Sequence, residues 1–133
     1  MPVPATPHLL EALAQVTCRA FMQAERVLPD DVTSAIRRAR QAETTPIAQE
    51  QLDRILENIT LARESGVPLC QDTGIPVIYL TLPADIPFTR PILNALSEGV
   101  RRATKAVPLR PNIVDPLTRE NTLNNTGAGI PAV

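Results

Sequence analysis

Hydrophobic positions along the chain fall first at helical and then at strand spacing. Leu9, Leu10, Leu13, Val16, Ala20 and Phe21 recur every three or four residues after a Pro-rich start, which predicts a first helix that also carries Cys18. A second helix is predicted over "LPDDVTSAIRRARQAE". Asp30 and Asp31 suit its positive N-terminal end, and Arg37, Arg38 and Arg40 suit its C-terminal half. The third helix has the clearest pattern. Thr45 can cap it, Pro46 fits its first turn, and Leu52, Ile55, Leu56, Ile59 and Ala62 form one apolar face. Gly66 can take the left-handed conformation that ends a helix, and Pro68 blocks continuation.

The period then changes. "IPVIYLTL", Ile75 to Leu82, is β-branched and aromatic enough to predict a strand. "PADIPF" makes a corner. "TRPILNALSEGVRRATKA" predicts a fourth helix with Ile92, Leu96, Val100 and Ala103 on one side. The last stretch, Val107 to Val133, holds four prolines, four asparagines and two glycines and reads as loop with one short strand at Asn112 to Val114. It also ends on an apolar "IPAV", as if cut in mid-fold. These elements predict an α+β fold, in which an N-terminal helical group is followed by mixed strands and helices. They predict one domain over residues 1–133.

Composition changes this picture little. The aromatic fraction is 2%, so the core falls to Leu, Ile, Val and Ala. Fourteen prolines against five glycines imply short elements with rigid corners. The net charge of −1 gives no electrostatic footprint for nucleic acid. Arg101, Arg102 and Lys105 cluster late in the fourth helix, where cations suit the dipole and a solvated helix end is expected. No apolar run is long enough to cross a membrane, and the first residues lack the features of a signal peptide. Cys18 and Cys70 do not make a disulfide framework, so a reducing cytoplasm is the expected location.

The candidate chemistry lies at "CQDTG", Cys70 to Gly74, on a loop between the third helix and the predicted strand. Cys70 can be a thiolate nucleophile or a soft metal ligand. Gln71 donates and accepts, Asp72 brings a carboxylate and Thr73 a hydroxyl, and Gly74 permits close backbone approach. The bland alternatives are a small buried cysteine and an ordinary Asp-Thr-Gly turn. The chain's one histidine, His8, is expected in solvent, and Cys18 in the packing of the first helix. With two cysteines and one histidine, the chain alone is not expected to build a metal site.

"PLCQDTGIPVIYL" resembles the signature of the class I, iron–sulfur-dependent fumarate hydratases and the related tartrate dehydratases. The later block within Val107 to Gly127, "VPLRPNIVDPLTRENTLNNTG", resembles a second signature of that family, and the helical lead-in resembles its α subunit. The resemblance implies a hydro-lyase that hydrates fumarate to malate with a 4Fe–4S cluster, one of whose irons stays open to polarise the substrate as a Lewis acid. It implies that Cys70 is one cluster ligand, that Gln71 and Asp72 contact substrate beside the cluster, with Asp72 in the chemistry, and that Arg110 binds a substrate carboxylate. "NNTG", Asn124 to Gly127, lines the same region on this view.

The α subunits of that family continue well beyond this length and carry the other cluster cysteines, while a β subunit or C-terminal domain supplies further contacts, including the catalytic base. The expectation is therefore the N-terminal part of an oligomeric enzyme's α subunit, inactive in isolation. The alternatives are an L-tartrate dehydratase α-subunit fragment, a non-catalytic piece that keeps only an interaction surface, and a stand-alone thiol protein acting through Cys70.

Overall fold

The computed structural model describes residues 5–133. Its order is α1 (Pro7–Arg26), α2 (Asp30–Ala42), α3 (Pro46–Ser65) and α4 (Arg90–Ala106). All four helices stand where the hydrophobic spacing predicts them. The chain divides into two compact units. One holds the described residues up to Met22 together with Gln71–Val133, and the other is Gln23–Cys70.

In the Gln23–Cys70 unit, α2 packs against α3. Thr33, Ile59 and Ala62 are buried, whereas Ile55, expected on the buried face of α3, is exposed. Arg40 Nε donates to Asp53 Oδ1 at 2.7 Å and ties the end of α2 to α3. Thr45 occupies the N-cap position of α3, but its side chain makes no capping bond. The preceding acid does the local work: Glu43 Oε1 accepts from the backbone N–H groups of Thr44 and Thr45, both at 2.8 Å. Those bonds hold the Glu43 carboxyl below its ordinary pKa. Gly66 ends α3 as expected, with φ 72° and its N–H on Ala62 O. The segment after it is pinned at Leu69, whose N–H donates to Glu25 O at 2.8 Å and whose carbonyl accepts from Asn58 Nδ2 at 2.8 Å.

In the other unit, α4 supplies the core. Ile92, Leu96, Val100 and Ala103 are buried as the spacing predicts, and Ala95, Gly99 and Thr104 join them. From α1 the buried residues of this unit are Ala14 and Thr17, not the larger apolar residues of the predicted face. Gly99 explains the substitution of small for large. A Cβ there would lie 2.5 Å from Thr17 Cβ and 2.6 Å from Ala14 O, so the two helices approach too closely for bulky side chains. The arginines late in α4 are not simply solvated. Arg102 bonds Glu98 within its own helix and both carboxylate oxygens of Glu11 on α1, at 2.6 and 3.0 Å.

The expected mixed strands are absent among the described residues. Three isolated bridges take their place: Val77 with Ala132, Val114 with Asn121, and Gly127 with Ile130. The physical reason is pairing. Strand propensity at Ile75–Leu82 is realised as an extended segment, but a ladder needs neighbours, and among the described residues Ala132 alone exchanges backbone hydrogen bonds with it. The Val107–Val133 region is nonetheless well defined. Val107, Leu109 and Ile113 are buried, and side-chain oxygens of Asp115, Asn121 and Asn124 accept local backbone N–H bonds that close successive turns.

Candidate functional site

Cys70 closes the Gln23–Cys70 unit as an exposed residue, directly after the pinned Leu69. Cys18 lies half-buried on α1 with its thiol 3.7 Å from Met22 Sδ, in keeping with a packing role. Gln71, Asp72 and Arg110 all belong to the second unit, and their side chains are exposed.

Two segments distant in sequence meet there. Thr73, which is buried, donates its hydroxyl to Arg110 O at 2.8 Å. Asn112 Nδ2 donates to Asp72 Oδ1 at 3.0 Å. The Gln71–Gly74 loop and the Arg110–Asn112 segment are therefore joined by two hydrogen bonds. One fixes backbone and the other orients a carboxylate.

Behind this contact sits Asn125, which the sequence placed in this region only as part of the "NNTG" block, with no role of its own. It is fully buried, with φ 58°. Its Oδ1 accepts from the Asn112 N–H at 2.8 Å. Its Nδ2 reaches Arg110 O and Thr104 Oγ1, both at 3.3 Å. Thr104 in turn bonds Val100 O at 2.9 Å on α4. Asn121 Nδ2 holds Pro111 O at 2.9 Å. The backbone of Arg110, Pro111 and Asn112 is thus fixed at successive polar groups, while the Arg110 guanidinium remains exposed. The available signal was the density of asparagines in "RENTLNNTG", since asparagine both tolerates left-handed backbone and mimics backbone hydrogen bonding.

Gly74 has a different role from the one expected. A Cβ there would meet nothing within 4 Å, so close approach is not the constraint. Its φ of 69° is, because side-chain-bearing residues rarely adopt it. Of the "NNTG" block, Asn125 joins the network directly, and Asn124 organises its own turn by accepting from the N–H and hydroxyl of Thr126.

Chemically, the arrangement offers an oriented carboxylate at Asp72, a neighbouring amide at Gln71 and an exposed guanidinium at Arg110. A guanidinium fork matches a carboxylate bidentately, so a carboxylic acid is the natural ligand class. A 4Fe–4S cluster takes three or four cysteine thiolates. Among the described residues, no three of His, Cys, Asp and Glu come together to hold a metal. The donor set within these residues therefore does not fit such a cluster.

Comparison with known proteins fixes the family. The model of the family described as "Fumarate hydratase (Fumerase)" matches residues 14–133. The chain is 41% identical over 123 residues to the "Putative L(+)-tartrate dehydratase subunit alpha" of Methanocaldococcus jannaschii, covering 91% of this chain and 43% of that protein. It is 38% identical over 125 residues to the "Putative fumarate hydratase class I" of Geobacillus stearothermophilus, covering 93% and 24%. It is 31% identical over 106 residues to the "L(+)-tartrate dehydratase subunit alpha" of Escherichia coli K12, covering 80% and 35%. The chain spans less than half the length of each of these relatives. With residues 14–133 matched and both signature segments inside the match, the chain belongs to the fumarate hydratase family.

Proposed function

We propose that this chain is part of a hydro-lyase that adds water reversibly across the double bond of fumarate to give malate. The observation that carries the reading is the junction of the two signature segments, through Thr73 with Arg110 and Asn112 with Asp72, in a chain of this family. Arg110 grips one carboxylate of the C4 dicarboxylate. Gln71 and Asp72 hold the hydroxyl end, and Asp72 moves a proton there. Were the whole enzyme to hold a 4Fe–4S cluster, Cys70 would supply one of its thiolates and the cluster would supply Lewis-acid polarisation of the substrate. Two of the relatives are named as α subunits, which supports assembly with a β subunit that completes the site.

A second reading has a specific observation behind it. The Methanocaldococcus relative, 41% identical, is named for L(+)-tartrate, and removal of water from that diacid uses the same carboxylate and hydroxyl contacts. The test is turnover by the assembly purified anaerobically from its source, with fumarate, malate and L(+)-tartrate supplied separately and products followed by NMR. Interconversion of fumarate and malate supports the first reading. Dehydration of tartrate alone selects the second, and turnover of neither overturns both.

A further inference from the structure

The extended segment after Gly74 has two unlike sides. Pro76 is fully buried, and Ile78 and Leu80 are half-buried, whereas Ile75, Val77 and Tyr79 are 64%, 55% and 97% exposed. That alternation is the signature of a strand with one face on a core and one face open. The exposed face is wholly apolar but for the Tyr79 hydroxyl, and no charged residue stands between Asp72 and Asp85. The backbone is just as one-sided. On one edge Ala132 N–H donates to Pro76 O at 3.0 Å and Ile78 N–H donates to Ala132 O at 2.8 Å. The N–H and C=O groups of Val77 and Tyr79 point to the opposite edge, where among the described residues no backbone partner meets them.

Solvent-facing edges are normally blunted by Lys, Pro or a bulge. Here the nearest proline, Pro76, turns its carbonyl to the Ala132 side, so it does not protect the open edge. An apolar face and an unpaired edge on the same residues describe a strand made for the interior of a sheet. The curated relatives contain the polypeptide to complete one. More than half of the Methanocaldococcus protein lies outside the matched stretch, which covers 43% of it.

We propose that the open edge at Val77 and Tyr79 pairs with a β-strand from the portion of the enzyme that corresponds to the unmatched part of these relatives. On the open face that strand places apolar side chains beside Ile75, Val77 and Tyr79 as cross-strand neighbours. Pairing there would fix Pro76 to Leu80, and with it the Gln71–Gly74 loop immediately upstream, when the two portions come together.

The test co-expresses the full 133-residue chain, tagged, with the part of the Methanocaldococcus relative outside its matched stretch, and compares the product with the same chain expressed alone. The expected result is a co-purified complex in which the Val77 and Tyr79 amides exchange at least about tenfold more slowly than in the chain alone. Two substitutions at exposed positions probe the edge. Tyr79→Lys puts a charge on the apolar face. Val77→Pro removes an edge N–H while leaving the Pro76 and Ile78 bonds to Ala132 available. Each is expected to reduce recovered complex by about tenfold or more, with the circular dichroism of the chain unchanged. No complex, or a complex indifferent to both substitutions, overturns the proposal. A wild-type chain that dimerises alone, and becomes monomeric with either substitution, also overturns it and assigns the edge to a second copy. None of these readouts depends on catalysis.

Discussion

Asn112 donates to Asp72 across forty positions of sequence, at 3.0 Å, and is itself held through its N–H by the buried side chain of Asn125. The carboxylate of one signature segment is therefore oriented by the other, and both rest on an amide that solvent does not reach. This chain of bonds makes Asn125 the residue on which the local geometry most depends. Asn125→Ala would strand the Asn112 N–H and withdraw a donor from Arg110 O and Thr104, at a cost of about 2–4 kcal/mol. Urea unfolding of wild type and variant checks the value. A loss below about 0.5 kcal/mol would mean that water takes over the bonds without penalty.

Arg110 separates structure from binding. Its carbonyl is used by Thr73 and Asn125, but its guanidinium is exposed. Arg110→Ala is therefore expected to leave the melting temperature within about 2 °C of wild type, the behaviour of a surface substitution. In the active assembly it should lower kcat/KM by about 10- to 100-fold, the worth of a charge-assisted hydrogen bond to a carboxylate. Arg110→Lys should restore only part of this, because a point charge does not reproduce the fork. An assay of all three forms side by side decides it.

The Glu11–Arg102 pair predicts a pH dependence. Hydrogen bonding to Arg102 holds the Glu11 carboxyl down at about 2, from an ordinary value of 4.5. Glu98, bonded to the same guanidinium, is also lowered. A depressed folded-state pKa stabilises the fold above the unfolded value, and that contribution is lost as pH falls through the folded one. The melting-temperature gap between wild type and Arg102→Met should thus be full above about pH 5 and close towards about pH 2. A gap that stays constant across this range would assign the role of Arg102 to packing of its stem.

Gly99 predicts a steric effect. A methyl group there would press on Thr17 Cβ and on the Ala14 carbonyl, and neither is the end of a flexible side chain. Although alanine favours helix by about 1 kcal/mol over glycine, Gly99→Ala should destabilise by about 1–3 kcal/mol, because overpacking outweighs propensity. Thermal denaturation showing a stabilised variant would contradict the close approach of α1 and α4.

Much of the helical framework was legible from spacing alone, because an amphipathic helix satisfies its own backbone and needs only one apolar face. Gly66 and Pro46 marked their termini for local reasons. The errors have a common cause in tertiary context. Ile75–Leu82 has the composition of a strand, but its ladder depends on partners that the local sequence does not name. The buried positions of α1 fall at Ala14 and Thr17 because Gly99 approaches from another helix. Thr45 was a plausible cap, yet Glu43 had the longer reach and the charge. In the candidate site, "CQDTG" and Arg110 drew attention as side chains, whereas the contribution of Asn125 emerges only once Arg110, Asn112 and Thr104 surround it.

The measurement that bears most directly on the proposed activity is steady-state fumarate hydration by Asp72→Asn in the native assembly. The substitution keeps the shape and the acceptor oxygen that Asn112 engages, and removes the ionisable carboxylate. The proposal predicts a kcat lowered by about 100-fold or more with KM changed far less, because general acid–base groups contribute on that scale. A kcat within about twofold of wild type, in an assembly of unchanged stability, would contradict the placing of the proton transfer at Asp72.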